Sequence, residues 1–348
     1  MKRTMKKMVS MALTGTMAVA VLAGAGTSEV KAADKAKIGV LVADVSGEEA
    51  QGFRSYYENY IAGNYDVEFN YTDALQSAED EKTAIEKFAS QGCQAIISFS
   101  SNDRVQQIET CEKYGVYYAV ASGVLDDAQY ETYKTYEYFA GQVGPGNDTE
   151  FEAGKDMGAY YKEQGVSKVA IYGAFIPNPM HVYRVAGVLS GLGLSYDGST
   201  DEAEVVGKIF ADQGVDPSKV SGDIEMVAYL QGYGDTTTDE INAAIQAKPE
   251  AFISVGMATT FFTQQLNAAG IEFSDIDSFT QSNGEAITNG KLVYLAGKYS
   301  SSVGPAFALV LNAINGNVIR DEQGNAVSLS QNYQVATDEA TFDEFYKS

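Results

Sequence analysis

From residue 36 onward the chain alternates between two hydrophobic rhythms. Short apolar runs, as expected of strands covered on both faces, give way to longer stretches. In those, apolar residues recur every three or four positions, as on one face of a helix. Residues 38–43, 95–99, 116–121 and 138–140 read as strands, and 65–71 alternates like another. Residues 51–62, 77–90 and 103–114 read as helices between them, and a Tyr-rich connection leads into 138–140. The helix over 77–90 has the fullest signature. Ser77 with Asp80 resembles a capping box, Ala84, Ile85, Phe88 and Ala89 make one apolar stripe, and Gly92 ends it.

Gly144-Pro-Gly146 punctuates the chain, and the alternation then restarts. Helices are expected over 149–164, 181–192, 238–247, 259–269 and 303–314. Strands are expected over 168–172, 225–230, 251–255 and 292–296, with another near Ser278. Residues 195–223, rich in Gly and Asp, read as irregular. Such alternation makes parallel sheets with helices on both faces, so the expected class is α/β. Two series about a Gly/Pro hinge predict two similar lobes, and 348 residues suit two domains at about 100–200 residues each.

Ahead of this pattern stand Lys2, Arg3, Lys6 and Lys7, then an apolar run from near Met8, then small residues. That is the layout of a secretory leader. The run is broken by Ser10, Thr14, Gly15 and Thr16, whereas a spanning helix wants about 20 apolar residues. Ala23-Gly-Ala25 and Val30-Lys-Ala32 both fit a cleavage site. Cleavage near Ala32 is expected, because the strand-like Lys37-Ile-Gly-Val-Leu-Val-Ala43 follows soon after; an uncleaved anchor is the alternative. The expectation is an exported, extracytoplasmic chain with residues 1–32 as its signal peptide.

Charge narrows the partners. With 24 basic against 47 acidic residues the net charge is −23. Nucleic-acid binding depends on neutralising phosphates with Lys and Arg, so this surface argues against it. The same charge favours solubility and repulsion from anionic membranes. Cys93 and Cys111 are the two cysteines. Export permits a disulfide. However, a helix packed on a sheet lies about 10 Å away, and a bridge needs Cα atoms within about 7 Å. Two buried thiols are therefore expected, with a bridge as the alternative. Two cysteines and one histidine, His181, do not make a usual zinc site, and no metal or cofactor is expected. No nucleophile motif, phosphate-binding G-x-x-x-x-G-K or H-E-x-x-H stands in the chain, so it does not read as an enzyme.

Ordered cues carry a resemblance. They include Ile38-Gly-Val40, Gln91-Gly-Cys-Gln-Ala-Ile-Ile97, Val143-Gly-Pro-Gly-Asn147 leading to Gly154, Tyr183-Arg-Val-Ala-Gly187 and Asn289-Gly-Lys-Leu292. Over nearly all of 36–348 the chain resembles the type 1 periplasmic (solute-) binding proteins, the sugar-binding branch of ABC-importer receptors. The resemblance implies two Rossmann-like lobes joined by a three-crossover hinge, with the ligand cleft between them. It implies an N-terminal lobe of 36–144 plus 299–330 and a C-terminal lobe of 145–298 plus 331–348. It also implies a monomer that closes on a small polar ligand, a sugar first and a nucleoside or small acid as alternatives. An ABC permease is the implied partner, and a membrane sensor the alternative one. A lactose-repressor-type regulator shares the fold but needs a DNA-reading helix-turn-helix where the leader stands.

The resemblance places Arg184 of the R-x-x-G motif against the ligand, where its fork of donors could hold hydroxyls or an anion. His181, one turn earlier, shares that face. Lys298 falls on a crossover position that often carries a polar contact. Loops after the strands add Ser46, Ser101, Asn102, Ser122, Met257 and Gln281, although Ser and Asn there also suit simple helix capping. Ser122 and Gln281 stand where sugar receptors commonly carry Asp. With no Trp in the chain, ring stacking would fall to Tyr or Phe, with Phe53, Tyr56, Phe175 and Tyr183 as candidates. In the leader, Leu22-Ala-Gly24 matches the lipobox of Gram-positive relatives, but Ala25 stands where the lipid-bearing cysteine belongs. A lipid anchor is therefore not expected.

Overall fold

Alternation along single strands explains the first lobe. Ile38, Val40, Ile97 and Ala119 bury on one side of a sheet, and Leu41, Ile96, Tyr118 and Val120 bury on the other. The structure, a computed structural model, describes residues 35–347 except Ser101 and 233–237. The leader, its cleavage patterns and Ala25 lie outside the described residues. Among the described residues no helix is long and apolar enough to cross a membrane.

The strands are β1 Ala36–Leu41, β2 Val67–Tyr71, β3 Ala95–Ser98, β4 Tyr117–Val120, β5 Phe139–Gly144, β6 Lys168–Tyr172 and the short β7 Ser195–Tyr196. They continue as β8 Val220–Ser221, β9 Glu225–Leu230, β10 Ala251–Ser254, β11 Glu272–Ser278, β12 Leu292–Lys298, β13 Val327–Ser330 and β14 Gln334–Ala336. One six-stranded sheet runs β13-β5-β4-β3-β1-β2, and the other β14-β12-β11-β10-β6-β9. All pairings in both are parallel except β12 with β14. The chain passes between the sheets after β5, after β12, and between β13 and β14, which gives three crossovers. The first needs Gly144: its φ is 152°, and a Cβ there would lie 2.0 Å from the backbone nitrogen of Gly123.

Local signals mostly hold. The Ser77 hydroxyl accepts from the Asp80 N–H at 3.2 Å and starts the helix Ala78–Ser90. The helix Glu48–Ser55 opens into a wider turn over Tyr56–Ile61, which buries Tyr57 and lets its hydroxyl donate to the Val303 carbonyl at 2.8 Å. Two stretches differ from expectation. The Tyr-rich connection contains the helix Asp127–Tyr133, started by a capping box of Asp126 and Gln129. The stretch 195–223 contains the hairpin-like β7–β8 pair and the helix Glu202–Asp212. Asp201 caps that helix, and Val205, Val206 and Ile209 bury its face. Flanking Gly and Asp hid this short periodic run. Cys93 and Cys111 are free, buried thiols, and burial pushes the Cys93 thiol up to about 11.

In the second lobe, the helices Asn147–Glu163 and Pro179–Leu192 touch almost backbone to backbone. Cβ atoms added at Gly154, Gly158, Gly187 and Gly191 would lie 2.0–2.5 Å from the facing carbonyl oxygens. This contact sets what lies beneath the hinge.

Candidate ligand cleft

The carboxyl ends of β1, β2, β3 and β4 face those of β10 and β11 across a cleft of about 670 Å³. Open α/β sheets bind ligands at such ends, where strands stop and backbone groups come free. The first-lobe wall is the loop Val42–Gly47, then Glu48, Glu49, Phe53 and Arg54 of the next helix, with Tyr71, Phe99 and Ser122. The opposite wall is Met257, Thr259 and Thr260 after β10, then Asp277, Thr280, Ser282 and Asn283.

The loop after β1 is shaped by Asp44. Its carboxylate accepts from the Ser46 N–H and hydroxyl, both at 2.8 Å, and from the Gly47 N–H at 3.0 Å. These bonds, the Ser46 N–H first, hold its carboxyl below the usual range. The helix Glu48–Ser55 follows, and its first residues reach the other lobe. Glu48 accepts from the Ser282 N–H at 3.0 Å and hydroxyl at 2.7 Å, at the start of the helix Gln281–Thr288. Glu49 accepts from the Ser278 hydroxyl at 2.6 Å and pairs with Lys298 at 2.6 Å. Burial works against the Glu49 charge, but Lys298 and Ser278 hold its carboxyl below the usual range. Lys298 also donates to the Ser122 hydroxyl at 3.3 Å, so one ammonium ties a crossover to two points of the first-lobe wall.

Of the residues read from sequence, Ser46, Ser122 and Met257 line the cleft, and Lys298 stands directly behind it. Phe53 lines it as well, stacked on Phe99 with ring centroids 5.4 Å apart. Ser101 lies outside the described residues. Asn102 is not on the wall: its N–H and side-chain amide donate to the buried Glu81 carboxylate at 3.1 and 3.0 Å. Gln281 faces away, donating to Glu285 at 2.9 Å, while its neighbours Thr280 and Ser282 line the cleft. Of the other candidate aromatics, Tyr56 stacks on Tyr60, Phe175 is exposed, and Tyr183 packs against the second-lobe core.

Arg184 requires a correction. Its guanidinium is buried and does not line the cleft. Nε donates to Glu150 at 2.6 Å, one terminal nitrogen donates to the Val255 carbonyl at 2.8 Å, and the other bonds the Tyr333 hydroxyl. Glu150 follows the first crossover, and Tyr333 sits in the third. The Arg184 fork therefore fastens two hinge segments to the sheet. Its charge is held against burial by Glu150. His181 does not line the cleft either; its Nδ1 pairs with the backbone of Phe175, at 2.9 Å from the carbonyl.

Sequence reading missed Glu48, Glu49 and Asp277. The two glutamates look like ordinary helix-start residues. Asp275 and Asp277, however, stand two positions apart in the mixed run Glu272–Ser278, so they share one face of β11. That spacing was legible once a strand is placed there. The Asp275 carboxylate accepts from the Ser254 hydroxyl at 2.8 Å and the Thr259 N–H at 3.3 Å, at the start of the helix Ala258–Ala269. Burial and then Asp277 push Asp275 up to about 8; burial and then Glu49 push Asp277 up to about 6. His181 goes the other way, down to about 4, through burial and the nearby Arg184.

These shifts set a pH profile. The unfolded carboxyls titrate near about 3.9, so the stability contributed by the aspartate pair is full below that and is lost as pH climbs through about 6 to 8. The His181 contribution is present above the ordinary 6.5 and is lost as pH falls towards 4. Urea midpoints measured from about pH 6.5 to about pH 9 should fall as pH rises, because the His181 contribution is already full there while the Asp275 contribution is still being lost. Asp275→Asn should flatten that fall; an unchanged fall in Asp275→Asn would rule out the buried pair as its source.

No family model matches the sequence, and no curated protein matches it. Solved structures do match the fold. A periplasmic solute-binding protein of an ABC transporter from Actinobacillus succinogenes, with bound D-allose, aligns at TM-score 0.67 and 17% identity. That alignment covers 89% of this chain and 100% of that one. A solute-binding protein from Bacillus halodurans with bound myo-inositol aligns at TM-score 0.64 and 16% identity, covering 90% and 98%. The transcription regulator CcpA of Lactococcus lactis aligns at TM-score 0.59 and 12% identity, covering 87% and 97%. The two-lobed α/β fold is that of the type 1 periplasmic binding proteins, and regulators share it.

Proposed function

We propose that this chain is an extracytoplasmic substrate-binding protein of an ABC importer that captures a small sugar or polyol and presents it to a membrane permease. The observation that carries this reading is the polar cleft between the two lobes, already bridged by Glu48–Ser282 and Glu49–Ser278. Those bonds exist only with the lobes together. A ligand seated among them adds contacts to both walls and favours the closed form, because only differential affinity shifts such a balance. The solved structures of the same fold with D-allose and myo-inositol support a hydroxyl-rich ligand. The leader pattern supports export over the regulator role, and binding without catalysis fits the lack of a nucleophile–base pattern in the sequence. Delivery to a permease, the monomeric state and the lobe boundaries at 144, 298 and 330 belong to the same proposal.

A thermal-shift screen of the purified full chain against monosaccharides, cyclitols, nucleosides and small organic acids tests it. A sugar or cyclitol should raise the melting temperature and, by small-angle scattering, compact the protein. A shift only with nucleosides or acids, or with none of the four classes, overturns the sugar reading.

A further inference from the structure

Resting on that reading, we propose that the ligand carries a protonated amine: the cleft is built for an amino sugar, not for a neutral or anionic one. The wall holds four carboxylates, those of Asp44, Glu48, Glu49 and Asp277, against the single guanidinium of Arg54. Arg54 is already committed. It donates to Glu58 at 2.8 Å and lies over the Tyr71 ring at 4.3 Å. Lys298, behind the wall, is spent on Glu49 and Ser122. An anionic ligand would enter a negative cleft and find every nearby base paired.

A second observation is independent of charge. Asn283, 1% exposed on the cleft wall, donates through its side-chain nitrogen to the Ser278 carbonyl at 2.8 Å and to Asp277 at 3.3 Å. That fixes the amide so that Oδ1 is left as an acceptor without a partner. The Thr259 hydroxyl, on the same wall, also has no partner. Asp277 itself receives only the long Asn283 bond among the described residues. Asn283 Oδ1 and the Asp277 carboxylate call for donors, and the Thr259 hydroxyl can accept one as well as give one. A sugar hydroxyl brings one proton and two lone pairs; an ammonium brings three protons, no lone pair and a charge that complements Asp277. The stacked Phe53 and Phe99 offer an apolar surface to the C–H face of the ring that bears the amine.

Calorimetric titration of the full chain at about pH 6.5 with glucosamine, galactosamine and mannosamine tests this, beside their parent hexoses, N-acetyl forms and the matching uronic acids. At least one amino sugar should bind at least about tenfold tighter than its hydroxy and N-acetyl counterparts, a difference of about 1.4 kcal/mol. The uronic acids should bind weakest. In Asp277→Asn, whose melting temperature reports that it is folded, the amine-to-hydroxyl ratio should collapse to within about threefold. A parent hexose that binds as tightly as every amino sugar overturns the proposal while leaving the sugar reading in place. So does an amine preference that survives Asp277→Asn. Binding of no sugar of any kind removes both.

Discussion

Arg184→Ala is expected to cost about 3–5 kcal/mol of stability, the loss typical of removing one partner from a buried ion pair. The substitution removes the counter-ion of the buried Glu150 carboxylate and leaves the Val255 carbonyl and the Tyr333 hydroxyl without their donor. Arg184→Lys should recover little. Three partners lie in three directions, and one ammonium on a flexible stem cannot reproduce a planar fork. Urea denaturation followed by near-ultraviolet circular dichroism checks both variants. A loss below about 1 kcal/mol for the alanine variant would show that the network is not what holds this region. The same experiment separates two roles for the residue. A ligand-facing arginine would lower affinity and leave the free protein's stability almost unchanged. The buried fork lowers stability first, and affects affinity only through the crossovers that Glu150 and Tyr333 belong to.

The second large effect concerns the helix pair that brings Arg184 to Glu150. Gly187→Ala places a methyl group 2.0 Å from the Phe151 carbonyl oxygen. Two effects compete. Alanine is a better helix former than glycine by about 1 kcal/mol. Overpacking costs about 1–3 kcal/mol, or more when the obstacle cannot move. Here the obstacle is backbone of a neighbouring helix, so no rotamer change relieves it. Overpacking wins, and a net loss of about 2 kcal/mol, the upper end of the overpacking cost less the propensity gain, is expected in the same urea experiment. Gly207→Ala, in the helix Glu202–Asp212 with open space at its Cβ, is the control and should be neutral or slightly stabilising. If Gly187→Ala matches that control, the close approach of the two helices is wrong.

Much of this architecture was readable in the chain. Periodicity alone marks β1, β3, β6, β10 and β12 and the helices between them, because a strand covered on both faces must be apolar throughout. The helix Glu202–Asp212 escaped because three buried residues between Gly- and Asp-rich flanks make a weak pattern. The four glycines were visible as two pairs spaced four apart, Gly154 with Gly158 and Gly187 with Gly191. Their meaning was not, since it depends on which helix faces which.

The site divides in the same way. Ser46, Ser122 and Met257 could be placed in the cleft from sequence, because residues just after parallel strands must emerge at the sheet's carboxyl edge. Chain order also settled the α/β class, the break near Gly144 and a surface charge unsuited to nucleic acid. What only the tertiary structure decided is where the charges go. Arg184 turned inward because Glu150, 34 positions away, and Tyr333, 149 positions away, meet it beneath the hinge. Glu48 and Glu49 became bridges because β11 and the helix after it lie opposite them, more than 220 residues along the chain. Apolar periodicity is a local property and survives reading one residue at a time. The role of a buried charge is set by its partners, and those partners become neighbours only when the chain has folded.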